Sequence, residues 1–223
     1  MNAIFQSTEQ ALHVGFLVTS LPSRQKNAFR VALIQALEAL PKLGKDQEKF
    51  LTYLRGDAPD GSINFGGLTS DEVRAQCAMV VACVRDQLPE PERYATWIRY
   101  ARGIPAQPRT AQRAADPGVP PSMEWKRGVF GMATYLRPTV NLQNRETIMA
   151  LIAAHAFPNQ REQEFTYQRI SKHYGVPVRT LERAAFTIRK RLRGLENQAV
   201  ERLKPMFERD GLVEVEEAEV ASA

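Results

Sequence analysis

Cysteine is scarce: the 223 residues hold two, Cys77 and Cys83. A disulfide scaffold needs several paired cysteines, and a structural zinc site needs four close Cys or His ligands, so neither is expected. The two thiols are expected to be buried in a reducing compartment. Histidine is almost as rare, and His13, His155 and His173 are scattered. None has a Cys, Asp or Glu at the spacing of a metal ligand or an activated nucleophile. A glycine-rich phosphate loop, a nucleophile elbow and a matched pair of catalytic carboxylates are also missing. The chain is therefore expected not to be an enzyme and to use no metal or cofactor.

Long apolar runs are absent as well. Crossing a bilayer takes about 18 or more consecutive apolar residues. Phe16-Leu17-Val18 is too short for the apolar core of a secretory signal, which runs about 7–15 residues. The expectation is a cytoplasmic protein without a membrane partner. An apolar share of 43% with 25% charged residues is that of an ordinary globular chain,.

Charge is present and unevenly placed. The formal net charge is +5, and residues 161–193 carry nine basic against three acidic side chains, a net of +6. Beyond Lys204 the chain turns acidic, with Glu214, Glu216, Glu217 and Glu219 close together. A concentrated basic stretch is the footprint expected of a polyanion-binding surface. The acidic end is expected to be a solvated tail; its alternative is competition with DNA for the basic helix, which would make a chain cut after Met206 bind DNA more tightly.

The apolar spacing is helical throughout. Phe29, Ala32, Leu33, Ala36, Leu37 and Leu40 recur at three and four residues, predicting a helix that Pro41 ends, with a second over 45–55,. Residues 9–20 are only weakly patterned. Thr69 or Ser70 with Asp71 and Glu72 mark the start of a helix to about Leu88, whose run from Cys77 to Val84 is apolar nearly all round and is expected to centre a core. Pro89 opens another helix, in which Tyr94, Trp97 and Tyr100 are expected to pack rather than stack on bases. Residues 103–121 hold five prolines and two glycines with little to bury, which reads as a linker. Helices are expected again over 123–136 and 144–156. The predicted fold is all-α: a helical interaction or dimerisation domain over 1–102, a Pro-rich linker over 103–121, a helix-turn-helix DNA-binding domain over 122–205, and an acidic tail over 206–223.

Residues 165–195 carry the functional signal. Two short helices that cross through a tight turn need a small residue at the crossing, a glycine at the turn and apolar inner faces. Ser171, Gly175, and Ile170, Tyr174, Val176, Leu181 and Ala184 fill those places. Pro177 presets the backbone where the second helix begins. On that helix Val178, Leu181, Ala185, Ile188, Leu192 and Leu195 form an apolar stripe, leaving Arg179, Thr180, Arg183, Phe186, Thr187, Arg189, Lys190 and Arg193 to the other faces. Arginine near the start of such a helix can bond guanine edges, and later cations grip phosphates. Arg179, Thr180, Glu182 and Arg183 are the expected base readers, with Val178 beside them; Glu182 either accepts from cytosine or pairs with a neighbouring arginine. Thr166 and Gln168, at the start of the first helix, are expected phosphate contacts.

This segment resembles the helix-turn-helix of region four in bacterial sigma factors. Phe165-Thr166 match its opening, Ile170 and Val176 its inner positions, and Ile188-Arg189-Lys190-Arg191-Leu192-Arg193 the basic, leucine-bearing end of its long helix. About 30 of the 223 residues are covered. Leu88-Pro89-Glu90-Pro91-Glu92-Arg93, leading to Arg99-Tyr100, is similar to the helix that precedes the motif in that family, yet it stands about 65 residues upstream. Either that second likeness is accidental or an inserted segment divides one module. Val178, Arg179 and Glu182 stand where promoter-reading members have arginine, glutamate and arginine, so the family's promoter element is not the expected target. Phage late-gene antiterminators, which resemble region four in the same motif, bind DNA near a promoter and load onto RNA polymerase.

The expected function is thus sequence-specific transcription regulation. Double-stranded DNA is the expected partner, and RNA polymerase or a second copy of the chain are further candidates. Two other readings stay open: a DNA-packaging or replication-initiation protein of a mobile element, and a protein adaptor that binds no DNA.

Overall fold

The computed structural model describes residues 5–20, 70–104, 118–157 and 165–214. The protein is all-α. The described residues form seven helices: α1 (Thr8–Ser20), α2 (Ser70–Gln87), α3 (Glu90–Tyr100), α4 (Met123–Leu136), α5 (Arg145–Ala156), α6 (Tyr167–Tyr174) and α7 (Val178–Arg209). Extended pairing among them is limited to two isolated bridges, Phe5 with Val213 and Ile104 with Val119. The helices expected over 23–40 and 45–55 lie outside the described residues.

Two compact units emerge. Of the described residues, 5–20, 70–86 and 200–214 fall in one, and 87–104, 118–157 and 165–199 in the other. This division differs from the expected one at three places.

The first difference is α3, expected to belong with the N-terminal region. Its Ala95 and Ile98 are buried in a core that also contains Val129, Met132 and Leu136 of α4, Ile148 and Ile152 of α5, Ile170 of α6, and Leu181, Ile188 and Leu192 of α7. Arg99 of α3 reaches Glu196 of α7 at 2.9 Å, and that carboxylate is nearly buried. Arg102, just beyond α3, is largely buried and donates to the Ala156 carbonyl at 2.5 Å. Burial, followed by the neighbouring Arg99 charge, holds its guanidinium below the usual arginine range,.

The second is the Pro-rich stretch 103–121. Ile104 and Val119 exchange both backbone hydrogen bonds, each 2.8 Å, and the Ser122 amide donates to the Ala101 carbonyl. Gly103 takes φ 76° there, and a Cβ on it would stand 2.2 Å from the Val119 carbonyl oxygen, so only glycine fits. Ile104 and Val119, on either side of residues 105–118, are thus paired within a single unit, where a boundary between domains was expected.

The third is the end of the chain. The helix that opens at Val178 continues past Leu195, the last residue of the expected apolar stripe, to Arg209, through Gly194 and Pro205. Phe207, Leu212 and Val213 are buried, and Phe5 bonds the backbone on both sides of Val213. The solvated tail therefore does not begin at 206; residues 206–213 are part of the fold.

In this first unit α1 is buried along most of its middle, with Glu9 and Thr19 exposed near its ends. Ala11, Leu12, Val14, Phe16 and Val18 are all buried, and a Cβ on Gly15 would meet Val80 Cγ1 at 2.9 Å. α2, expected to be the all-round core helix, is one-sided: Val73, Cys77, Val80 and Val84 are buried while Met79 is 47% exposed. Cys77 is buried and Cys83 half-buried. Burial pushes the Cys77 thiol up to about 12 against the lowering effect of Arg74. No helix of the described residues is long and apolar enough to cross a membrane.

Candidate nucleic-acid interface

The candidate surface is built on α6, a three-residue turn and α7. Thr166 caps α6: its hydroxyl oxygen accepts from the Arg169 amide at 3.2 Å. This satisfies one of the helix's open donors and leaves the hydroxyl hydrogen for an outside acceptor. Gly175 ends α6 in the left-handed region at φ 70°, its amide donating to the Ser171 carbonyl, a conformation that favours glycine. Val176 and Pro177 complete the turn, and the Pro177 carbonyl accepts from the amides of Thr180 and Leu181 at 2.9 and 3.1 Å. Proline has no amide to lose at that point, so it starts α7 without cost.

The inner faces match the expected positions. Ile170, Leu181, Ala184, Ala185, Ile188 and Leu192 are buried, and Tyr174, Val176 and Leu195 pack partly against them. Val178 and Thr180 are half-buried. Burying these branched side chains fixes which way α7 is rotated, and that rotation decides what it presents to solvent.

At about 100° per residue, Arg179, Arg183, Phe186, Lys190 and Arg193 fall within an arc of about 80° on the side opposite Leu181 and Ile188. All five are exposed, and Phe186 is 65% exposed. Thr187 and Arg189 flank the stripe half-buried, and the Thr187 hydroxyl donates to the Arg183 carbonyl at 3.2 Å. Arg179, Arg183, Lys190 and Arg193 form no ion pair with any described residue. Glu182 is exposed and likewise unpaired among the described residues, so the pairing alternative for it is not what the structure has. Gln168 is exposed on the first turn of α6.

Sequence reading missed the flank of the stripe. A cleft of about 530 Å³ is lined by Tyr135 of α4 together with Phe186, Thr187, Lys190, Arg191, Gly194, Leu195 and Gln198 of α7. Gly194 leaves open space here, with nothing within 4 Å of where its Cβ would be. Tyr135 and Arg191 were not assigned to the surface because α4 is remote in sequence and Arg191 lies about 120° off the stripe's axis.

No protein-family model matches this chain, and no curated protein matches it. The geometry therefore stands by itself. Across about 65 residues of sequence α3 shares one core with α6 and α7. No group of three or more His, Cys, Asp or Glu side chains converges among the described residues.

Proposed function

We propose that this protein is a sequence-specific double-stranded DNA-binding regulator of transcription that inserts the start of α7 into a major groove. What supports it is the stripe of unpaired cations on α7, held outward by the buried face of the same helix. A major groove about 12 Å wide admits one helix. Arg179, Thr180, Glu182 and Arg183 occupy the first two turns, where base edges are in reach. Lys190 and Arg193 stand about 16–21 Å further along the axis, where they meet phosphates. Phe186 offers an apolar surface to a thymine methyl group. The Thr166 hydroxyl hydrogen and Gln168 complete the grip on the backbone.

The resemblance to sigma region four and to phage late-gene antiterminators adds RNA polymerase as the partner we propose for this DNA-bound chain. The experiment is selection of duplexes from a random pool by the intact protein at two salt concentrations, with the Arg179→Ala/Arg183→Ala double variant alongside. An enriched motif that the double variant loses supports the reading. Retention that is neither enriched nor salt-sensitive rejects it in favour of the adaptor. Mass in solution separates the remaining rival, since a packaging or initiation protein forms a large closed ring.

A further inference from the structure

The second unit has another cleft, of about 470 Å³, that shares no residue with the α7 stripe; Arg93, Tyr94, Trp97, Lys126, Arg127 and Phe130 line it. It exists because α4 has a glycine opposite a tyrosine. A Cβ on Gly131 would stand 2.5 Å from the Tyr94 ring, so glycine alone lets that ring lie across α4 and form the cleft's wall. Phe130 is 48% exposed at the cleft, while Trp97 beneath is 7% exposed.

The rings and cations are already arranged. Arg93 lies 5.9 Å from the Tyr94 centroid and 5.4 Å from that of Trp97, and Arg145 lies 4.2 Å from that of Phe130. Glu90 engages Arg93 at 3.5 Å. Lys126 and Arg127 are exposed and form no ion pair with any described residue, and no Asp or Glu lines the cleft. A guanidinium already sits over each ring, which leaves poor access for a stacked base. The space between Tyr94 and Phe130 suits a single apolar side chain, and the unpaired Lys126 and Arg127 at its edge call for carboxylates.

We propose that this cleft docks a protein segment in which an aromatic or long aliphatic side chain is flanked by acidic residues. The apolar side chain enters between Tyr94 and Phe130, and its carboxylates pair with Lys126 and Arg127. An aromatic floor ringed by cations is the arrangement that concentrates binding energy at protein interfaces. The partner is a protein and is separate from the DNA proposed for α7.

The test is selection of displayed random peptides about twelve residues long on the full-length protein. Phe130→Ala, Lys126→Glu/Arg127→Glu and Arg179→Ala/Arg183→Ala serve as comparisons. All these positions are exposed, and circular dichroism verifies that each variant is folded. The expected pool is rich in carboxylates around one large apolar residue. Binding of a peptide from it falls about tenfold or more in either cleft variant and is unchanged in the Arg179/Arg183 variant. An empty selection, a pool without carboxylates or binding that survives both cleft variants overturns the proposal. So does displacement of the peptide by a single-stranded oligothymidine of about twelve nucleotides, which would make the cleft a nucleic-acid surface.

Discussion

On α7, Arg179, Arg183, Lys190 and Arg193 reach into solvent without an ion pair, whereas beside α3 and α4 the guanidiniums of Arg93 and Arg145 rest on aromatic rings. Both surfaces belong to one compact unit, and both are basic. The cations of the stripe keep their hydration and their freedom, which suits a long, uniformly charged partner whose phosphates recur along its length. At the cleft Arg93 and Arg145 are held over aromatic rings beside the unpaired Lys126 and Arg127, which suits a partner of one shape. Local charge alone does not distinguish the two. What the cations touch does.

That contrast can be broken or sharpened by variants. The largest effect is expected for Arg179→Ala/Arg183→Ala, which should weaken binding to a selected duplex by about a hundredfold or more, since a bidentate base contact contributes on the order of 1–3 kcal/mol. Fluorescence anisotropy reads this, and Lys126→Ala/Arg127→Ala should change the same affinity by less than about twofold; an equal loss would merge the two surfaces into one footprint.

Gly131→Ala comes next, at about 1–3 kcal/mol of stability by denaturant unfolding, because the new methyl group must displace the Tyr94 ring. Lys190→Ala/Arg193→Ala should weaken specific and random duplexes alike and lower the salt slope by about 2, as two phosphate contacts disappear. Cys77 gives a test away from both surfaces. Its folded thiol holds its proton to about 12 while the unfolded one releases it near 9.0. Stability contributed at this site is therefore intact below about pH 9 and falls as pH rises toward 12, with a limiting slope of about 1.4 kcal/mol per pH unit. Cys77→Ala should flatten that fall in unfolding curves measured between those limits. The smallest effect is that of Thr166→Ala, about 1 kcal/mol from the lost cap, read by thermal unfolding.

The α6 to α7 module was legible in the sequence almost to the residue, because its signals are local. Gly175, Ser171, Pro177 and the spacing from Leu181 to Leu192 each constrain a neighbour a few positions away. α3, α4 and α5 were legible for the same reason. α1 was not, since its stretch from Ala11 to Val18 is buried at every position but His13 and so lacks the alternation of polar and apolar faces that periodicity detects,. The far end of α7 was hidden by Gly194 and Pro205, residues that usually mark a stop but stand here on exposed positions of a continuing helix. The unit boundary and the second cleft depend on α3 meeting α4 and α7, through pairs such as Arg99 with Glu196 and Tyr94 with Gly131. No short window of sequence contains such a pair.

The bridge between Ile104 and Val119 has a practical side. Because Ile104 and Val119 are already held together, a change in the length of chain between them carries a small cost, each doubling about 0.6 kcal/mol in closure entropy,. Such a place tolerates an added segment with little disturbance of what lies on either side. It is also where an engineer would graft a fluorescent domain or an affinity tag and expect the α7 stripe to keep its geometry.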